Sequence, residues 1–145
     1  MALPAKFRLY SYQHNGQYLF VSNDEEGDDL VVEAHPYPDE DRNWFEAERV
    51  NPDEDFWVRL YNPSTGRYLF VSNDMADGDN IVEAHPYRDE SRNTFNPLAQ
   101  GDGSFVFWHP DTETYLFLSN DQRGDDYVIE AHAADEARNR FVAKE

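Results

Sequence analysis

Three times along the chain a glutamate and a histidine stand two residues apart, as Glu33-Ala34-His35, Glu83-Ala84-His85 and Glu130-Ala131-His132. Residues two apart on a strand share a face. Each pair would therefore set an acceptor beside a donor, an arrangement suited to recognising hydroxyl groups. Two copies continue into Pro36-Tyr37 and Pro86-Tyr87, adding a ring on which the C–H side of a sugar can stack. The third continues as Ala133-Ala134, so a third site would be weaker or missing. The alternative is a surface Glu–His pair that supports a strand edge. Asp24, Asp74 and Asp121 each close a Ser-Asn-Asp triplet, and Asp29, Asp79 and Asp126 follow at the ends of acidic, glycine-bearing loops. Such side chains either satisfy local backbone N–H groups in turns or offer carboxylates to a ligand.

Other chemistries fit less well. The run Asn23 to Asp29 gathers hard oxygens around Gly27, as a calcium site requires. It lacks EF-hand spacing, and the third copy carries Gln122 and Arg123 in that loop, so calcium stands as an alternative ligand. The chain has no cysteine, hence no thiolate metal site and no disulfide framework. It has no glycine-flanked serine elbow and no phosphate loop. We expect no enzymatic activity, no cofactor and no transition metal. Arg42, Arg92 and Arg138 follow acid-rich turns such as Asp39-Glu40-Asp41. Their forks are expected to clamp those turns through carboxylates, or else to meet an anionic ligand.

These residues recur because the whole chain recurs. Tyr18-Leu19-Phe20-Val21-Ser22-Asn23-Asp24 returns from Tyr68 and, with Leu118 for valine, from Tyr115, at spacings of 50 and 47 residues. Repeats of about this length signal a closed or stacked architecture. The copies span approximately 6–50, 55–99 and 103–145 of a single domain. Each reads as four short strands. An alternating strand such as Phe7-Arg8-Leu9-Tyr10 leads to a turn (His14-Asn15-Gly16 in the first copy). The Tyr-Leu-Phe strand, the acidic loop and the Val-Glu-Ala-His strand follow, then a short strand centred on Phe45, Phe95 or Phe141. No segment carries sustained helical periodicity, so the chain is all-β. Twelve strands in three copies suit a β-trefoil better than a three-bladed propeller, with the three phenylalanines as threefold-related core plugs.

Acids outnumber bases 30 to 12, for a formal net charge of −18. Such a field repels phosphate backbones and anionic bilayers, so neither nucleic acid nor membrane insertion is expected. A protein partner, if there is one, would be basic. Met1 to Phe7 holds no apolar run of signal-peptide length; the expectation is a cytoplasmic protein, or one secreted without a cleaved signal.

The units resemble the ricin-type lectin repeat. Arg42-Asn43-Trp44-Phe45, Arg92-Asn93-Thr94-Phe95 and Arg138-Asn139-Arg140-Phe141 take the place of that family's Gln-x-Trp ending, and the Gly-Asp segments take that of its Asn-Gly-Asn loop. The resemblance implies a β-trefoil that binds multivalent glycans through shallow sites. The ricin sugar-binding aspartate is not retained, since its positions fall on Phe20, Phe70 and Phe117. Fascin-like and hisactophilin-like trefoils are more distant likenesses and imply the alternative of a protein-interaction module. Its non-repeated candidate segments are Val50 to Asp55 and Leu98 to Ser104.

Overall fold

The alternation that marks the first strand of each copy has a direct structural outcome: Phe7 and Leu9 are buried while Arg8 and Tyr10 between them are half-buried. The computed structural model describes residues 3–13, 16–54 and 56–145, so His14, Asn15 and Asp55 of the segments named above lie outside the described residues. The first copy forms β1 (Lys6–Ser11), β2 (Tyr18–Glu26), β3 (Asp29–His35) and β4 (Trp44–Arg49). The second forms β5 (Val58–Asn62), β6 (Arg67–Ala76), β7 (Asp79–His85) and β8 (Thr94–Ala99). The third forms β9 (Ser104–His109), β10 (Thr114–Arg123), β11 (Asp126–His132) and β12 (Phe141–Lys144). Short 3-10 turns at Asp41–Asn43, Ser91–Asn93 and Ala137–Asn139 precede the last strand of each copy.

Six strands close on themselves. β1 pairs with β12, β12 with β9, β9 with β8, β8 with β5, β5 with β4 and β4 with β1, all antiparallel. The other six form three hairpins, β2–β3, β6–β7 and β10–β11, whose inner strands pair in a triangle through β3–β7, β7–β11 and β11–β3. A closed barrel capped by a hairpin triplet is the trefoil arrangement. Phe45, Phe95 and Phe141 are fully buried in the main core with Leu19, Leu69 and Leu116. A second, smaller cluster of Val31, Ile81 and Val128 forms where the three hairpins meet.

The acidic loops of the sequence reading are mostly strand. In β2, residues 22–24 bulge against Val31, after which Glu25 pairs with Leu30 and Glu26 with Asp29. The same irregularity recurs in β6 and β10. Only a two-residue turn remains at each tip. At Asp77-Gly78 both residues take positive φ (52° and 89°), the backbone of a type I′ turn, whose twist matches that of the flanking strands.

Candidate functional site

β3 shows how the repeated polar residues are placed. Its even positions, Val32 and Ala34, face the barrel core, so Val31, Glu33 and His35 face the other way. That second face is also covered. Glu33, Glu83 and Glu130 are at most 1% exposed, and His35 and His85 are buried as well. This corrects the expectation of surface Glu–His pairs: strand periodicity put each pair on one face, and the bulged second strand with the neighbouring hairpins closes over that face.

The histidines serve the fold. His35 stacks on Phe20 with ring centroids 3.7 Å apart and planes 7° from parallel, His85 on Phe70 at 3.8 Å, and His132 on Phe117 at 3.6 Å. Their Nε2 atoms lie 2.8, 2.6 and 2.7 Å from Oδ1 of Asn43, Asn93 and Asn139. The asparagine Nδ2 groups donate to the backbone carbonyls of Tyr37, Tyr87 and Ala134. With the amide N–H so used, Oδ1 faces the ring, and each histidine donates from Nε2. Sequence reasoning did not single out these asparagines, although their repetition seven or eight residues after each histidine was a usable signal.

The arginines also differ from expectation. Arg42 and Arg92 do clamp, but onto backbone carbonyls freed by the bulge rather than onto acids. Arg42 donates to the carbonyls of Val21 and Ser22 (2.5 and 2.9 Å), and Arg92 to those of Val71 and Ser72 (2.5 and 3.0 Å). Arg138 instead donates to Asn120 Oδ1 at 2.9 Å and lies over Phe117. The Ser-Asn-Asp triplets act as turn chemistry: Ser22, Ser72 and Ser119 each accept from the amide of Asp24, Asp74 or Asp121 at 3.1 Å.

Tyr37 and Tyr87 remain open. They are 59% and 61% exposed, yet each stands edge-on to its buried histidine at 5.3 Å and 81°. The buried histidine behind each tyrosine lies in the field of a carboxylate from another copy. Asp126 of the third copy lies in the field of His35 and Asp24, and Asp29 of the first copy lies in that of His85, Arg67 and Asp74. Partial burial pushes both carboxyls up from the ordinary aspartate range, and the adjacent histidines partly offset this. Asp79 and Asp121 meet near Glu130 in the same way, but there the chain offers Ala133-Ala134 in place of an aromatic. Of the candidates from sequence, the aspartates and the two tyrosines reach the surface, and the glutamates and histidines lie beneath. Among the described residues, no group of three or more His, Asp or Glu side chains is arranged to hold a metal ion.

No protein-family model matches the chain, and no curated protein matches its sequence. Solved structures do. The chain is similar to the designed threefold-symmetric protein ThreeFoil at 17% identity and a TM-score of 0.82, over 98% of this chain and 99% of that one. It is similar to the SDF2-like protein from Arabidopsis thaliana at 13% identity and a TM-score of 0.85, over 100% and 94% of the two chains. The β-trefoil of BEL matches at 14% identity and a TM-score of 0.74, over 99% and 94%. At these identities the likeness is one of fold, and the chain is a β-trefoil.

Proposed function

We propose that the protein is a non-enzymatic glycan-binding module with two shallow sites, centred on Tyr37 and Tyr87. The observation that carries this reading is the pair of exposed tyrosines, held in the same pose against buried histidines that lie in the field of a carboxylate from an adjoining copy. An exposed ring held in place gives a stacking platform for the apolar face of a pyranose, and the carboxylates accept from its hydroxyls. Asp24 and Asp126 would serve the first site, Asp74 and Asp29 the second. Two weak sites on one rigid body gain strength on multivalent glycans through effective concentration. The surrounding acids disfavour sulfated and sialylated glycans, leaving neutral or amino sugars as ligands.

The test is a glycan array probed with the purified protein, with calcium and again with EDTA. Specific binding that survives EDTA and is lost in the Tyr37→Ala/Tyr87→Ala double variant supports the reading. Absence of binding in both conditions, or binding that is indifferent to both tyrosines, overturns it.

A second reading has its own observation. A groove of about 690 Å³ opens among Ala5, Ala47, Phe56, Val58, Pro97 and Leu98, beside the non-repeated segments, and Phe56 there is 62% exposed. With the net charge of −18, it suits a basic protein partner bearing an apolar anchor. Glycan-independent capture abolished by Phe56→Ser would favour it.

A further inference from the structure

Under the hairpin triplet lie three carboxyl groups whose surroundings make sense only if each holds a proton. Glu83 shows the geometry most fully. Its Oε2 is 3.0 Å from Ser72 Oγ, but the single hydroxyl proton of Ser72 is directed to the carbonyl of Ile81 at 2.8 Å. Ser22 and Ser119 direct theirs in the same way, to the carbonyls of Val31 and Val128 at 2.7 Å. The serine oxygens, already accepting an amide N–H, have no donor left for a carboxylate. Oε2 of Glu33, Oε1 of Glu83 and Oε2 of Glu130 are buried without a hydrogen-bond partner among the described residues. An ionised carboxylate left so is costly; a protonated one can donate.

The neighbours supply acceptors. Glu33 faces Asp24 on its own hairpin and Asp126 from β11; Glu83 faces Asp74 and Asp29 from β3; Glu130 faces Asp121 and Asp79 from β7. The cations in reach are engaged: Arg123 near Glu33 pairs with Glu26, and Arg67 near Asp29 donates to the carbonyls of Asp28 and Ala84. We infer that Glu33, Glu83 and Glu130 are three proton-binding sites, each sharing one proton with the aspartate of its own hairpin, and that alkali opens the hairpin triplet by removing those protons. Burial, followed by the hydrogen bond to the aspartate, raises Glu33 and Glu130 to about 9 and Glu83 to about 8. Correspondingly, the hydrogen bond from Glu130 is the chief cause that lowers Asp121. The inference is independent of the glycan reading.

A carboxyl whose folded-state proton affinity is raised stabilises the fold below its unfolded value, and that stability is lost as pH rises through the folded value. Across that window the folding equilibrium falls by up to about tenfold per pH unit for each such group. The test follows the side-chain carboxyl carbons of the wild-type protein by NMR from pH 5 to pH 10, and measures denaturant stability over the same range beside Glu33→Gln/Glu83→Gln/Glu130→Gln. The amide mimics the protonated acid and can still donate to the aspartate. Three glutamate carboxyls that stay protonated through pH 7 and release above it, with a flatter stability profile in the triple variant, support the inference. Glutamates fully ionised at pH 7, or an equally steep profile in the variant, overturn it. Should the triple variant fail to fold, the wild-type carboxyl titration alone decides.

Discussion

The two ends of the barrel are built on different terms. Where β1 and β5 run out into their hairpins, the chain buries a polar layer three times over: a glutamate, a serine and an asparagine per copy, with a histidine that is buried in the first two copies and half-buried in the third. At the other end, where β1 and β5 begin and β4 and β8 finish, the copies share little. That end holds an apolar groove, Phe56, and the turn carrying Asp102. A barrel needs only its inward-facing side chains to repeat. The repeated buried polar layer exceeds that need, and its bonded histidine–asparagine pairs favour one arrangement over near alternatives. The hairpin end is thus tightly specified, while the groove end has been free to diverge.

The strongest way to break the contrast is to attack what both ends rest on. Phe95→Ala, at the common core, is expected to cost about 3–5 kcal/mol in denaturant unfolding. Next, Asn93→Ala should cost about 1–3 kcal/mol, because His85 Nε2 and the Tyr87 carbonyl both lose a partner. Asn139→Ala should cost less, since His132 is less buried than His85. The ends should also part in their pH dependence. Glu83→Gln should flatten the loss of stability as pH rises toward 8, the value to which Glu83 is raised. Asp102 is held below its ordinary value, chiefly by hydrogen bonds from Ser104 and also by Arg140. Asp102→Asn should therefore remove a contribution present at neutral pH and lost in acid, read from unfolding midpoints between pH 2 and pH 5. Smallest of all, Phe56→Ser should change stability by no more than about 0.5 kcal/mol; a larger loss would show that the groove end is part of the core.

The same contrast explains what could be read from sequence. The threefold spacing, the strand alternation and the three phenylalanine plugs were legible, because barrel packing is written in period two along each strand. The burial of Glu33 and His35 was not. Periodicity tells which residues share a face, not what covers it, and the cover comes in part from β7 and β11, far away in sequence. One local sign was available: Val31-Val32 places an apolar residue on each side of β3, as strands buried on both faces do. The arginine clamps were illegible for a different reason. Their acceptors are backbone carbonyls exposed by a bulge, and carbonyls leave no trace in residue types.

The pairing of β1 with β12 joins Arg8 through Ser11 to Phe141 through Lys144. On the ribosome this makes β1 the first of these twelve strands to appear and among the last of them to be satisfied. Until β12 emerges, its edge stands open with Phe7 and Leu9 beside it, an invitation to pair with another chain. Synthesis of the trefoil therefore includes an interval of exposure that ends only when β12 arrives, and a nascent chain stalled before residue 141 would be a ready seed for aggregation.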